Sequence, residues 1–481
     1  MVNGKSAFAL FFGNRAFFPA SLMGEAREEL PRALRELGHE VLMLDADATR
    51  YGAVETPREG EVYANFLREH RGKFAGVILS LPNFGDENGA VAALKDAGVP
   101  IFVQAYPDDL DRMGPAERRD AFCGKLSIMD VFYQHGVKFT ALKPHVVQPG
   151  APAFAANIDH FDRVCRVIKG LRDTVIGAIG ARTTPFKTVR VDEVALQRRG
   201  VTVETIDLAE VIARVKGLST STDAFKTKAA SLRDYANWNG VPDQAFENLT
   251  RLGVVLDEII EEYQMSGVAV RCWLELQRQL GISVCVLMGE LNQRGIAAAC
   301  EVDVANAVAM RALHLASGQP ATLLDWNNNY EDDDDRCILF HCGSAPTELL
   351  IDRGRVTEHA ILVTSLGPGQ SFGCHVGRIK PFAFTFGGLM TDSGQTHVYL
   401  GQGRFTEDLI PADFFGAAGV AHVPNLQELL LHIGRHGHRH HVSLTPGDVQ
   451  APLREALAYY LGYQVTEPQD GAGRSQQERV S

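Results

Sequence analysis

The chain lacks what a disulfide scaffold or a metal-ribbon protein needs. Its eight cysteines, spread over 481 residues, form no CxxC pair and no regular framework, so reduced and mostly buried thiols are expected. Basic excess is missing too. A formal net charge of −12 argues against a general nucleic-acid binder, while leaving room for a local basic pocket around an anionic small molecule. The start, Met1-Val-Asn-Gly-Lys-Ser6, precedes only a short apolar strand, which supports neither a signal peptide nor a transmembrane helix. A cytoplasmic protein without a membrane partner is expected. No internal repeat of fixed period stands out. The acidic run Glu331-Asp-Asp-Asp-Asp335 lacks EF-hand spacing and reads as a solvated turn.

What is present is enough apolar residue, 45% of the chain, to build full cores, and enough length for roughly three domains. The first section alternates strand and helix patterns. Ser6–Phe12, Val41–Leu44, Ala75–Leu79 and Ile101–Gln104 read as buried strands, and Leu22–Leu37 and Asp86–Ala97 as helices. That rhythm predicts a mostly parallel sheet covered on both faces, with ligands meeting the carboxyl ends of its strands. The loops there are Gly13–Pro19, Leu81–Glu87 and Ala105–Asp109, whose Gly, Pro, Asn and Asp residues equally suit ordinary turns.

A second α/β unit starts near residue 166, with Thr174–Gly180 and Val201–Thr205 as strands and Val191–Arg199 as a helix. Residues 222–279 read as largely helical, including an amphipathic stretch Gly267–Leu280, and Ser283–Leu287 as a strand. Asp303 is a plausible N-cap for a helix Val304–Ala316, which Gly318-Gln-Pro320 would stop. From about residue 346 helices become sparse. His359–Thr364, Pro381–Phe386 and Thr396–Leu400 read as strands between Gly-rich turns, and the stretch from Glu467 onward as a loose tail.

Two acids stand out against this background. Glu301 and Asp325 each sit where an apolar run meets a polar turn. Buried carboxylates are costly, so a divalent metal or a shared proton is the physical reason to keep two of them. Arg439-His-His-Val-Ser443 offers an imidazole. Two carboxylates and a histidine make a mixed oxygen and nitrogen site for a hard or borderline ion such as Mn²⁺ or Mg²⁺. His341, after the apolar run Cys337–Phe340, is either a satisfied histidine at a strand end or a second group of the same site.

At Cys300-Glu-Val-Asp-Val-Ala-Asn-Ala307, Leu324-Asp-Trp-Asn-Asn-Asn329 and Phe340-His-Cys-Gly343 the chain resembles the L-fucose isomerase and L-arabinose isomerase family, more closely its L-fucose isomerase branch. The likeness extends to Gly13-Asn-Arg15, the run Arg112–Lys125, Gly180-Ala-Arg182, Phe186–Arg190 and His440-His-Val442. The resemblance implies two Rossmann-like α/β domains, 1–165 and 166–345, the second carrying both acids, followed by an antiparallel β-rich, barrel-like domain at 346–481. It implies a Mn²⁺-dependent aldose–ketose isomerase, with Mg²⁺ or Co²⁺ as substitutes. The protein would be a homo-oligomer (a hexamer, or a trimer or tetramer) whose neighbouring subunits contribute to the site. On that resemblance Glu301 and Asp325 are both metal ligands and proton-transfer groups, and His441 is the third ligand, with His440 its competitor. Substrate contacts are expected from Arg15, Asn83, Phe186, Asn327, His341 and Lys380, with His375 a weaker candidate at the rim. The sugar would be a neutral C5 or C6 aldose of the fucose or arabinose type, or an anionic C6 sugar such as sulfoquinovose. A sugar-binding module and a metal-dependent sugar aldolase or epimerase are the alternatives.

Overall fold

A computed structural model describes residues 4–19, 21–183 and 185–468. The first sheet holds β1 (Phe8–Phe12), β2 (Val41–Met43), β3 (Gly76–Leu81) and β4 (Ile101–Ala105), all parallel, in the order β2-β1-β3-β4. β1 shows why. Phe8, Leu10 and Phe12 enter one core while Ala9 and Phe11 enter another, so both faces are buried and the strand is apolar throughout. Each such phenylalanine or leucine contributes about 1.5–3 kcal/mol. The second sheet, β5 (Thr174–Ile179), β6 (Val201–Ile206), β7 (Gly267–Val270) and β8 (Ala297–Cys300), repeats this topology as β6-β5-β7-β8.

The remaining strands are β9 (Thr322–Asn329), β10 (Arg336–His341), β11 (Arg355–Glu358), β12 (Phe372–Arg378), β13 (Ala383–Asp392), β14 (Gln395–Phe405), β15 (Ala417–His422), β16 (His441–Pro446) and β17 (Gln464–Thr466). Six of them close an antiparallel barrel, β10-β9-β16-β13-β14-β15, because Ala421 of β15 opposes both Cys337 of β10 and Phe405 of β14. Parallel pairings add β12 to β15 and β17 to β14. The α/β sheets followed by a barrel match the expected fold class.

Three local expectations fail, because periodicity alone does not separate short strands from short helices. Gly267–Leu280 is not one helix: its start is strand β7, where a side chain on Gly267 would meet the Ala297 carbonyl, and only Glu275–Leu280 is helical. Ser283–Leu287 leads into the helix Cys285–Gln293, buried on every side along 285–292, so no amphipathic period marks it. Of His359–Thr364, His359 precedes and the rest lies in the short helix Ala360–Leu366, ended by Gly367 at φ +82°.

The chain divides into two compact units, up to Lys169 and from Gly170 onward. The finer three-domain division at residues 165 and 345 we keep as a proposal; β9 and β10 already hydrogen-bond into the barrel sheet before residue 346. The tail expected from Glu467 lies, beyond residue 468, outside the described residues. Among the described residues no helix is long and apolar enough to cross a membrane.

Candidate active site

Four elements of the second unit bring the acids and histidines together. β8 ends at Cys300, and the chain turns into the helix Val304–Ser317 through Glu301 and Val302, both left-handed at φ +57° and +64°. A β-branched residue in that region is a true outlier, and such strain collects at functional sites. Asp303 caps the helix, accepting from the Asn306 amide at 3.1 Å, as expected. Asp325 on β9 and His441 on β16 face each other directly across the ladder, which places their Cβ atoms about 5 Å apart. His341 ends β10, beside the register shift that leaves Asn327 as a bulge on β9. Bulges re-aim side chains next to active sites.

His441 Nε2 lies 3.4 Å from Glu301 Oε2 and 3.5 Å from Asp325 Oδ1. Both oxygens are buried and have no hydrogen-bond partner among the described residues. Adjacent ligands of a compact divalent ion with bonds near 2.1 Å stand about 3 Å apart. The ligand atoms within 4.8 Å of one another form two triads joined at His441, one with Glu301 and His341 and one with Asp325 and His440, so a single ion shared by Glu301 and Asp325 requires the two carboxylates to draw together. The other ring nitrogen, His441 Nδ1, is 2.8 Å from Asp303 Oδ2. A carboxylate there accepts a hydrogen bond from the Nδ1–H and so leaves the Nε2 lone pair of the neutral ring facing the two orphaned oxygens, the usual arrangement behind a metal-binding imidazole. The donor set therefore fits a hard or borderline divalent ion.

His341 has the opposite tautomer. Its Nδ1 accepts from the Cys342 backbone amide at 2.9 Å, so in the neutral ring Nε2 carries the proton and faces Glu301 Oε2 at 3.8 Å. That makes His341 a donor toward the cluster. His440 is 44% exposed, with Nε2 3.6 Å from Asp325 Oδ1, and His441 is 1% exposed.

The electrostatics follow from this crowding. Burial alone would raise the Glu301 pKa, yet the His341 and His441 imidazoles hold the carboxyl well below its usual range. Burial opposes ionisation of Asp303 as well, and Arg439 with His441 holds it low; Arg439 Nε is 3.4 Å from its Oδ1. Burial would lower His441, but Asp303 and Glu301 keep the imidazole well above its ordinary value. Three carboxylates around one ring demand positive charge, which either a proton or a divalent ion on Nε2 supplies.

Phe186 joins the cluster, its ring 5.4 Å from His440, 5.8 Å from His441 and 6.0 Å from Trp273. Asn327 is exposed two residues beyond Asp325, and Lys380 is exposed after β12; no contact among the described residues ties either to the carboxylates. Arg15 and Asn83 belong to the first unit. Arg15 pairs with Glu87, donates to the Gly85 carbonyl and lies over Phe84, while Asn83 donates to Asn14. His375 is fully buried, bonded to the Arg353 carbonyl, and is a structural histidine rather than a rim group.

Sequence reasoning read Asp303 as a cap only and passed over Arg439, Cys272 and Trp273. Trp273 Nε1 donates to Glu301 Oε1 at 3.3 Å, and the Cys272 thiol does so at 3.5 Å. The available signal was that Asp303 stands two residues from Glu301 in one motif. Trp273 and Cys272 carried none, because their loop was read as helix.

Two family models match the chain: the fucose/sulfoquinovose isomerase N-terminal domain over residues 9–172 and the L-fucose isomerase C-terminal domain over 339–468. The chain belongs to the L-fucose isomerase family. Among curated relatives, the sulfoquinovose isomerase of Priestia aryabhattai is 22% identical over 399 residues, covering 82% of this chain and 86% of that protein. That of Alkalicoccus urumqiensis is 22% identical over 319 residues, 66% and 70% of the two chains. That of Clostridium sp. (strain MSTE9) is 27% identical over 231 residues, 47% and 51%. Membership accords with the α/β and barrel architecture and with the motifs around Glu301, Asp325 and His341.

Proposed function

We propose that this protein is a divalent-metal-dependent aldose–ketose isomerase acting on a C5 or C6 sugar. The observation that carries the reading is the pair of buried, unpartnered oxygens, Glu301 Oε2 and Asp325 Oδ1, on either side of His441 Nε2, in a chain of this family. Glu301, Asp325 and His441 would hold the ion, with Mn²⁺ the first choice and Mg²⁺ or Co²⁺ as substitutes. When bound, the ion supplies positive charge beside the sugar's O1 and O2 and so lowers the cost of an enediolate.

The residues supply the rest. Isomerisation moves a proton between C1 and C2, which needs a base at each carbon. Glu301 stays ionised next to two imidazoles and so accepts rather than donates. Asp325, 18% exposed, stands at the more open side and serves the second carbon. His341 presents an N–H to the developing oxyanion. Phe186 and Trp273 wall the cluster and exclude water, and Asn327, Lys380, Arg15 and Asn83 would sort the remainder of the sugar, the last two from a neighbouring copy in a cytoplasmic homo-oligomer.

The named relatives make an anionic C6 aldose of the sulfoquinovose type the leading substrate. A neutral aldose of the fucose or arabinose type is the second reading, favoured by one feature: among the described residues, the lining of the cavity beside Glu301 includes no lysine or arginine. A panel of pentoses, 6-deoxyhexoses, hexoses and C6-anionic aldoses, with ketose formation followed by NMR in the Mn²⁺-loaded protein, tests both. At least one C5 or C6 aldose is expected to convert. Conversion of none removes the reading, and a cleaved or epimerised product replaces it with an aldolase or epimerase.

A further inference from the structure

Glu301 faces two kinds of neighbour. Its Oε2 meets imidazoles, whereas its Oε1 meets sulfur. Cys272, Cys285, Cys300 and Cys342 line a cavity of about 230 Å³ that also contains Glu301, His341 and His359. The Cys272 thiol donates to Glu301 Oε1, and the Cys300 sulfur lies 3.4 Å from the Met288 thioether. The two cysteine sulfurs and a Glu301 oxygen all stand within 4.8 Å of one another. With zinc–sulfur bonds near 2.3 Å, the sulfurs of a tetrahedral site sit about 3.8 Å apart, so at most about 1 Å separates this arrangement from ligation. The cavity gives an ion a place to reside beside these atoms, where a close-packed core would leave none.

We propose that Cys272, Cys300 and Glu301 form a second cation site, for a thiophilic d¹⁰ ion of the Zn²⁺ or Cd²⁺ class. Softness separates it from the cluster at His441: thiolates select zinc-like ions, while carboxylate and imidazole take the harder ones. Binding replaces two S–H bonds by two metal–sulfur bonds. Both protons pass to solvent, the carboxylate is already ionised, and no electron changes hands. Because Glu301 is common to both sites, Oε1 on the sulfur side and Oε2 on the histidine side, a thiophilic ion inhibits by drawing the carboxylate's charge and position away from the harder site. The inhibitory consequence rests on the proposed function; the binding does not.

The test is a Cd²⁺ titration of the chelated full-length chain, followed by thiolate-to-metal charge-transfer absorption in the ultraviolet, a readout independent of any sugar. The expected result is a saturable band at one ion per chain. Cys272→Ser and Cys300→Ser each weaken binding roughly 100-fold or more, by analogy with the 10–100-fold typical of outer-sphere partners. Cys337→Ser, in the barrel strand β10, and Cys342→Ser leave it within a few-fold. Full-strength binding in both Cys272→Ser and Cys300→Ser overturns the site. Should those variants not fold, X-ray absorption of the Cd²⁺-loaded wild type counts the sulfur neighbours: two support the site and none overturns it. A protein that binds Cd²⁺ in this way but turns over no sugar keeps the site and loses the isomerase reading.

Discussion

The two parallel sheets share one strand order, yet their carboxyl ends are chemically unlike. In the first, polar groups of the loops after β1 and β3 bond to one another: Asn83 donates to Asn14, Asn14 to Glu55, and Arg15 pairs with Glu87. In the second, Glu301 follows the fourth strand, and its buried Oε2 has no hydrogen-bond partner among the described residues and faces only the His341 and His441 imidazoles. The same backbone thus carries different chemistry: after β4 of the first sheet the Tyr106 hydroxyl and Asp108 Oδ1 also lack a hydrogen-bond partner among the described residues, whereas in the second the orphaned oxygen faces His341 and His441. Topology offers a location; the convergence of carboxylates and imidazoles makes a site. The left-handed pair Glu301 and Val302 is strained, so the second sheet gives up stability at the position where chemistry is proposed.

The largest effects should break that contrast outright. Glu301→Gln and Asp325→Asn are each expected to lower kcat by about 1000-fold or more, measured as ketose formation, with the melting temperature little changed. In the first sheet, Gln104 accepts from Ser80 at 2.7 Å and donates to the Val147 carbonyl at 2.8 Å. There Gln104→Ala should do the reverse, costing about 1–3 kcal/mol in denaturant unfolding while sparing turnover per folded molecule. A large catalytic loss in Gln104→Ala would erase the distinction.

The next effect concerns the support behind His441. Asn caps a helix as well as Asp does, so Asp303→Asn keeps the cap of Val304–Ser317 while losing the charge that fixes the His441 tautomer. Divalent-ion affinity, read by calorimetry on chelated protein, should fall about 10–100-fold. Unchanged affinity would show that Asp303 is a cap and nothing more.

Sequence reached unevenly into this arrangement. β1 and β3 were legible because five or six consecutive buried apolar residues with turn signals leave few alternatives. β8 was not, since Ala-Ala-Ala-Cys carries no strand propensity and becomes extended only by pairing with β7. Glu301, Asp325 and His441 could be nominated from chemistry and motif. Their convergence could not, because it depends on cross-strand register between residues 325 and 441 and on the turn after β8, both tertiary facts. The tautomers of His341 and His441 were equally out of reach, since each is set by one neighbour, an amide in one case and Asp303 in the other.

The smallest effect separates two histidines of similar burial. His441 is held above its ordinary pKa, whereas burial, with His432 and other cations nearby, pushes His438 down to about 3. The unfolded chain binds the His438 proton below pH 6.5 and the folded chain does not until about 3. Stability must therefore fall on acidification through that window, by at most about 1.4 kcal/mol per pH unit. His438→Gln, which can still reach Thr466, should flatten this slope in chemical unfolding measured from pH 6.5 to 4.5; an unaltered slope would place the proton elsewhere.

The central claim is that Glu301 Oε2, Asp325 Oδ1 and His441 Nε2 together hold the ion on which turnover depends. Electron paramagnetic resonance of free Mn²⁺, titrated into stripped protein while ketose formation is followed in deuterated water, reads this most directly. The account predicts one tightly bound Mn²⁺ per chain, activity rising in step with it, and deuterium entering the exchanging carbon. Binding and activity should both be lost in Glu301→Gln and Asp325→Asn and kept in Gln104→Ala. Full turnover without metal, or undiminished Mn²⁺ binding in the two carboxylate variants, would contradict it.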